Sequence, residues 1–395
     1  MRFWRSIENL TLLAIILGIL VGLYLPSLAQ AVYLLGEIFL RLLKMIIAPL
    51  IFASVYVSLS GLGSLAKIKE IGLKTLIYYL LTTSLSVLTG LILVNLLRPG
   101  TGMTTALTAS EVHLKSITMH DLILSIIPRN PVKSVAEGEV LPIIFFALLL
   151  GLATLNLPQA KRRALFDFFE ALNDALICLI RWIIYLTPLG VFAIVSRIVA
   201  EKGLEPLFSL SKYVLTVVLG LAFHASITLG LIVWLLGKTA PWRYFLKVRE
   251  ALLVAFSTAS SSATLPISLE VAEEKAGVPK EIAGFVLPLG ATVNMDGTAL
   301  YEAVAAMFIA NVYHLHLRLA QQVTIFLTAT LASIGAAGIP GAGLVTMTMV
   351  LQAVGLPLEG IGLILTVDRF LDMMRTSVNV WGDLIGAKVI DRLRS

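Results

Sequence analysis

Cysteine and charge are both scarce in this chain, and the two shortages exclude different classes of protein. Cys178 is the only cysteine in 395 residues, so neither an intramolecular disulfide nor a thiolate metal cluster can form. Only 14% of the residues are charged and 58% are apolar, whereas soluble domains carry about a quarter charged residues. The sequence therefore predicts a protein that folds in lipid.

Enzyme motifs are also absent from the sequence. It contains no nucleophile elbow, phosphate-binding loop or metalloprotease helix, and its histidines lack metal-ligand spacing. The net charge of +6 would suit a nucleic-acid binder. The basic residues cluster between apolar runs, however, on one side of the membrane if both termini are cytoplasmic. We therefore expect no enzymatic activity and no nucleic-acid partner, in a multi-pass protein of the inner (cytoplasmic) membrane.

Long apolar runs predict an all-α protein with eight transmembrane helices, because about 20 apolar residues cross the hydrocarbon core. The predicted helices lie near 8–28, 31–66, 72–98, 118–158, 166–201, 207–237, 279–313 and 357–393. Proline, glycine and threonine between residues 98 and 120 predict an external loop.

Two further segments, 242–276 and 318–352, each contain two short apolar stretches around a break. The break is serine-rich at 257–264 and glycine-rich at 333–343. Each half is too short to cross a bilayer, so both segments are predicted to be re-entrant helical hairpins whose tips meet at mid-depth. Each hairpin precedes a long helix, and the charge pattern predicts that the two units are inverted repeats. Paired interruptions of this kind point to the substrate site of a secondary transporter.

A stripe of polar residues runs along one face of the last predicted helix. Its members are spaced i, i+3, i+4, i+7 and i+11: Asp372, Arg375, Thr376, Asn379 and Asp383. Ionisable groups are costly at membrane depth, so the stripe is expected to line a protected cavity. Arg375 would bind a carboxylate through its planar fork, and Asp372 would accept from an amine. The alternative is an internal ion pair between these two side chains.

A second polar group interrupts the helix predicted over 279–313. The sequence NMDGT at 294–298 is compatible with a simple kink, and it lacks the alternating acids of a calcium loop. Unwound carbonyls together with Asp296, Asn379 and Asp383 form a set of hard oxygen ligands. Such a set favours an alkali cation, which we interpret as sodium.

These motifs resemble the dicarboxylate/amino acid:cation symporter family, which includes archaeal aspartate transporters and animal excitatory amino-acid transporters. The resemblance covers essentially the whole chain and implies a homotrimer with an elevator mechanism. The static scaffold would comprise 1–71 (helices 1 and 2) and 99–206 (external loop, helices 4 and 5). The mobile transport domain would comprise 72–98 (helix 3), 207–241 (helix 6), 242–276 (first hairpin), 279–313 (broken helix 7), 318–352 (second hairpin, the outer gate) and 357–395 (helix 8).

The resemblance also implies individual site residues. The substrate site would be formed by Ser261, Thr298, Ile339, Gly343, Asp372, Arg375, Thr376 and Asn379. One sodium site would use Gly290, Asn294, Asn379 and Asp383. A second would use backbone oxygens of Thr292, Met295, Ser333, Ile334 and Ala336. A third, deeper site would use Tyr79, Thr82, Thr83, Asn294 and Asp296.

The chain departs from family members at a few positions. Ala259 stands where archaeal members have an arginine, and Met373 stands where animal members have one. Arg369 is therefore a candidate replacement partner for Asp372. Glu302 resembles animal members, which use this glutamate as a proton carrier, whereas archaeal members have glutamine. A carboxyl buried in a membrane resists ionisation and can carry a proton, although a structural hydrogen bond from a neutral acid is the alternative.

Together these features predict a secondary active symporter that moves L-aspartate or L-glutamate inward with Na⁺. Coupling to H⁺ through Glu302 is a further expectation, and no organic cofactor is expected. The sequence leaves open the choice between aspartate and glutamate, the Na⁺ stoichiometry and K⁺ counter-transport. The nearest alternative is a C4-dicarboxylate symporter of the same fold, in which Asp372 would face a second anion. The alternative from another class is an anion-conducting channel.

Overall fold

The computed structural model describes residues 7–61, 71–101, 124, 126–335 and 341–394, and helices are the only regular secondary structure there. The helices are α1 (Ile7–Tyr24), α2 (Pro26–Ser60), α3 (Leu73–Leu97), α4 (Pro131–Glu137), α5 (Val140–Thr154), α6 (Gln159–Tyr185), α7 (Thr187–Lys202), α8 (Glu205–Phe223), α9 (Leu229–Leu235), α10 (Pro241–Thr258), α11 (Ser261–Glu270), α12 (Lys280–Val293), α13 (Asp296–Val312), α14 (Leu319–Ala332), α15 (Ala342–Val354) and α16 (Ile361–Arg394). The predicted all-α class is confirmed for this part of the chain. By length and composition, the segments Leu73–Leu97 and Leu210–Leu235 can cross a membrane.

The N-terminal helices form a first packed group, in which α2 contacts α5, α6 and α7, and α1 lies along α7. Glycine permits the close approach of α1, because a Cβ on Gly22 would lie 2.6 Å from the carbonyl oxygen of Ser196. Aromatic rings fill the space between α2 and α6, where the ring centroids of Tyr56 and Phe169 lie 4.3 Å apart. This group contains the helices predicted to form the scaffold, and their static role stays a prediction.

The remaining long helices form a second group around α13. All of α13 except Asn311 is buried, and it contacts α3, α8, α14, α15 and α16. A helix that is buried on all sides belongs at the centre of a bundle. The short polar segment at its start is therefore held at the middle of this group.

Several helix boundaries differ from the prediction. The helix predicted over 166–201 is divided at Leu186, because Pro188, in the first turn of α7, has no amide hydrogen with which to continue the hydrogen bonds of the preceding helix. The helix predicted over 118–158 is represented by α4 and α5, which are separated by Gly138 with φ of +69°. Pro26 starts α2 five residues earlier than the predicted residue 31. Most of the predicted loop at 98–120 lies outside the described residues.

Both predicted hairpins contain two helices in contact with each other. In the first, α10 and α11 are joined through Ala259, which has φ of +49°. In the second, α15 begins after Gly341 with φ of +79°, and residues 336–340 lie outside the described part. The second hairpin packs against α2 and α5 of the first group, whereas the first hairpin contacts α9, α12 and α16. The depth of either tip in a membrane stays a prediction.

Candidate functional site

The polar stripe lies on one continuous helix, α16, as the sequence predicts. All five of its members are between 0 and 7% exposed: Asp372, Arg375, Thr376, Asn379 and Asp383. The helix contacts both hairpins and also α12 and α13, so the stripe faces protein. The expectation of a protected location is confirmed.

Arg375 is fully buried and is held by two carboxylates. Its Nη1 donates to Asp368 Oδ1 at 3.0 Å, and its Nη2 donates to Asp372 Oδ1 at 2.8 Å. The guanidinium carbon lies 3.8 Å from the ring centroid of Tyr301, whose hydroxyl donates to Asp368 at 2.6 Å. The ion pair with Asp372, one of the two alternatives that the sequence left open, is therefore present in this structure.

Further predicted substrate residues frame this arginine. A Cβ on Gly343 would lie 3.1 Å from Arg375 Nη2 and 3.3 Å from Thr298 Cγ2. Asn379 Nδ2 donates to Thr298 Oγ1 at 3.2 Å. The amide of Gly341 donates to Asp372 Oδ2 at 3.0 Å, which ties the second hairpin to the stripe. The second hairpin, α13 and α16 therefore meet at one buried cluster of charged and polar side chains, the charged pocket.

The other predicted substrate residues are placed less directly. Ser261 is buried at the first position of α11, next to Ser260, whose side chain accepts from the amide of Ala263 at 3.1 Å. This helix lies against α16. Thr376 is buried on the stripe, and Ile339 lies outside the described residues. The serine-rich tip thus includes a helix N-cap, and its contact with substrate stays a prediction.

The helix break at Asn294 and Met295 is confirmed, and it presents a second acidic centre. Asp296 is fully buried, and its Oδ1 accepts from Thr82 at 3.3 Å and from Thr83 at 2.7 Å. His224 Nε2 lies 3.2 Å from Asp296 Oδ2. The hydroxyls on α3 therefore meet the carboxylate of α13 as the third predicted sodium site requires.

Asp383 forms a third acidic centre about one helical turn beyond Asn379. It accepts from Asn294 Nδ2 at 2.9 Å. A Cβ on Gly290 would lie 2.5 Å from Tyr79 Oη and closer still to Asp383 Oδ1, so the glycine allows both oxygens to approach the backbone of α12. Tyr79 Oη itself donates to the carbonyl of Val286 at 2.8 Å.

The oxygen groups around Asp296 and Asp383 are suited to binding sodium. Asp296 and Asp383 are buried carboxylates whose hydrogen bonds come from hydroxyl, amide and imidazole groups rather than from lysine or arginine. Oxygen-rich sites of this kind suit a hard cation. The described residues contain no cluster of three or more histidine, cysteine or acidic side chains of the kind that holds a transition metal.

The last predicted sodium set lies between α12 and the second hairpin. The 3₁₀ turn Ser333–Gly335 packs against α12. The side-chain hydroxyls there hydrogen-bond to nearby backbone carbonyls. Thr292 Oγ1 donates to the carbonyl of Leu289 at 3.0 Å, and Ser333 Oγ donates to the carbonyl of Thr330 at 2.7 Å. Backbone oxygens remain as the ligands that the prediction names. Ile334 is buried beside them, and Ala336 lies outside the described residues.

Glu302, the predicted proton carrier, is 1% exposed on α13. Thr346 of the second hairpin lies beside its carboxyl, and the positive charge of Arg375 acts on it. The side chain therefore lies near both the second hairpin and Arg375, and its role as a proton carrier stays a prediction.

Sequence reasoning missed three residues of the site. Asp368 extends the stripe by one turn, at i−4 from Asp372, and the helical spacing could have found it. His224 is an ionisable residue inside a long apolar segment, which is itself a signal of function. Tyr301 gave no signal, because an aromatic residue in an apolar helix is typical of a core.

The family model described as the sodium:dicarboxylate symporter family matches residues 8–393. The chain belongs to the sodium:dicarboxylate symporter family. Members of this symporter family are integral membrane transporters, and the predicted family is confirmed.

Relatives in this symporter family include bacterial and animal proteins. The proton/glutamate-aspartate symporter of Escherichia coli strain K12 is 36% identical, over 96% of this chain and 91% of its own length. The human excitatory amino acid transporter 3 is 38% identical, over 97% of this chain and 84% of its own length. The proton/sodium-glutamate symport protein of Geobacillus stearothermophilus is 35% identical, over 96% and 92% of the two chains.

Proposed function

We propose that this chain is a secondary active symporter that moves L-aspartate or L-glutamate inward together with Na⁺. The observation that carries the proposal is the pocket in which Arg375 and Asp372 face each other under the second hairpin. A cation and an anion in one dry site match a substrate that has an amine and an additional carboxylate. The names of the three relatives above support the same class of substrate.

One edge of the guanidinium, formed by Nε and Nη2, is suited to that carboxylate. Arg375 Nη1 is taken by Asp368, while Nε is buried without a hydrogen-bond partner among the described residues. Nε and Nη2 point along the same side of the planar group, which suits two parallel bonds to one carboxylate. The substrate side-chain carboxylate would displace Asp372 from Nη2. The released Asp372 would then accept from the substrate amine.

Charge balance supports coupling to a cation. The pocket holds one guanidinium and two carboxylates, and an acidic amino acid would add one more net negative charge. Nearby, Asp296 and Asp383 are buried beside hydroxyl and amide donors. Buried charges without compensation cost several kcal/mol each. Sodium ions at these oxygens would offset that cost, so substrate and Na⁺ would bind best together.

The proposed transport step is an elevator movement of the second helix group past the first. The second hairpin, which contacts both α2 and the pocket, would act as the gate. We further propose a homotrimer in the inner membrane with both termini cytoplasmic. Large apolar side chains exposed on α1, α2 and α6 offer surface for lipid or for neighbouring protomers.

Uptake into liposomes tests the proposal. Purified protein reconstituted in liposomes is expected to accumulate radiolabelled aspartate or glutamate when a Na⁺ gradient is imposed, with internal K⁺ and external pH varied separately. Arg375→Ala is expected to abolish this uptake, because the substrate carboxylate loses the guanidinium that would bind it. Arg163→Ala is the matched control, because Arg163 forms only an exposed ion pair with Asp167. This variant should transport aspartate at the wild-type rate.

The same assay separates the alternatives. A C4-dicarboxylate symporter would take up succinate and would let succinate compete with aspartate. An anion channel would give current without saturable uptake. Full aspartate uptake by Arg375→Ala would refute the proposed binding mode.

A further inference from the structure

The helix formed by α8 and α9 contains one extra residue at its centre. Between these helices His224–Thr228 form a π-helical turn, in which the amide of Leu229 donates to the carbonyl of His224. An unbroken α-helix would direct that amide to Ala225. Such turns are rare and occur frequently at functional sites.

The π-turn keeps one face of the helix inside the protein on both sides of His224. Tyr213, Val217 and Leu221 are buried before the turn, and Leu229 and Val233 are buried after it. Continued α-helical spacing from His224 would instead bury Leu231, which is 48% exposed. The inserted residue therefore allows His224 to project inward without exposing the rest of the face.

A side chain of α16 bonds to this turn. Trp381 is 6% exposed, and its indole N–H donates to the carbonyl of Ala225 at 3.0 Å. In an unbroken α-helix this carbonyl would accept from the amide of Leu229, which here donates to the carbonyl of His224 instead. The indole also packs beside Tyr244, with ring centroids 5.7 Å apart.

The residue after Trp381 lies against the acidic centre. A Cβ on Gly382 would lie 3.1 Å from Asp296 Oδ2. His224 Nε2 approaches the same oxygen at 3.2 Å, and a carboxylate that binds a cation can only accept from it. The other oxygen, Oδ1, faces Thr82 and Thr83.

We propose that Trp381 is a positioning residue of the cation site at Asp296. Its indole N–H stabilises the π-turn through the carbonyl of Ala225, and the π-turn keeps His224 Nε2 next to Asp296 Oδ2. Oδ1 is thereby directed toward the α3 hydroxyls and the bound Na⁺. Partners of a metal ligand that fix its orientation commonly change metal affinity when they are removed. The inference rests on the proposed sodium coupling and assigns this role to Trp381.

Sodium binding without substrate provides the test. The thermal stability of the purified full-length protein is measured as Na⁺ replaces choline at constant ionic strength. In Trp381→Phe the ring is kept and the N–H is lost, so the Na⁺ concentration at half-maximal stabilisation should rise about tenfold. The matched control is Trp234→Phe, because Trp234 is 58% exposed, and its midpoint should equal that of the wild type.

His224 supplies a second pair of variants that does not depend on the folding of Trp381→Phe. His224→Gln keeps a donor near the position of Nε2, and its midpoint should stay close to the wild-type value. His224→Leu removes the donor, and its midpoint should rise about tenfold. A merely structural role would lower stability in all salts and leave every midpoint unchanged.

Two negative results can be distinguished. If the wild type responds to Na⁺ and Trp381→Phe has the same midpoint, the positioning role of Trp381 is overturned and the proposed function stands. If the wild type shows no response to Na⁺, the sodium coupling is overturned together with this inference.

Discussion

At the scale of single residues, the fixed orientation of Arg375 is the most consequential feature of the site. Burying a guanidinium is costly unless its charge is paired. Asp368 satisfies Nη1, and the Tyr301 ring covers one face of the group. The edge that would receive the substrate therefore keeps its orientation while Asp372 and a substrate carboxylate exchange.

Glu302 gives a prediction at the same scale. Glu302→Gln should remove any pH dependence of aspartate exchange in liposomes, because the amide occupies the same buried place and cannot bind or release a proton. The measurement is the exchange rate across a series of pH values. Glu250→Gln is the control, since this carboxyl is more than half exposed beside Lys275. An unchanged pH profile in Glu302→Gln would assign that carboxyl a structural role.

At the scale of elements, α12 contains two glycines that differ in whether a side chain could be added. A Cβ on Gly290 would collide with Asp383 and Tyr79, whereas a Cβ on Gly284 would meet no atom within 4 Å. Alanine favours a helix over glycine by about 1 kcal/mol. The first glycine is therefore explained by the close approach of Asp383 and Tyr79 to the backbone, and the second is not explained by any contact.

Alanine at each position should separate ion binding from stability. Gly290→Ala is expected to raise the Na⁺ concentration for half-maximal uptake by at least about tenfold, since it displaces an ion ligand. Gly284→Ala should leave the Na⁺ dependence unchanged. Sodium titrations of uptake at saturating aspartate check both. A wild-type Na⁺ dependence in Gly290→Ala would remove Gly290 and Asp383 from the sodium site.

The breaks in the elements were predictable to different degrees. Residues 294–298 combine turn-forming and polar residues inside an apolar run, and the sequence predicts this break correctly. The π-turn at His224 leaves no comparable signal, because HASIT is an ordinary helical sequence in composition. It forms because buried residues on both sides must face the same neighbours, and those neighbours are distant in the chain.

At the scale of the whole molecule, the two helix groups meet where α16 begins. A Cβ on Gly362 would lie 3.0 Å from the Cβ of Ile194 on α7, so the helices are nearly in backbone contact. Within the first group, a Cβ on Gly151 would lie equally close, 3.0 Å, to the Cβ of Leu59. These two contacts offer a matched test of relative movement.

Paired cysteines at the two contacts should behave differently in a Cys178→Ser background. Oxidised Ile194→Cys/Gly362→Cys should stop uptake by joining the groups, and a reducing agent should restore it. Oxidised Leu59→Cys/Gly151→Cys should cross-link without stopping uptake, because both residues belong to the first group. Cross-linking is followed by gel mobility together with uptake. Full transport by the cross-linked interface pair would contradict an elevator movement.

The sequence by itself determined that the protein folds in lipid, that it is helical and which chemical groups form the polar stripe. Low charge and long apolar runs require lipid, and the spacing from Asp372 to Asp383 places five polar groups on one helical face. Tertiary structure decided which groups share a site. Asp368 and Tyr301 meet at Arg375, and His224 meets Asp296, across separations of 67 and 72 residues. Periodicity reports which face of a helix is polar, and only packing between helices decides what that face meets.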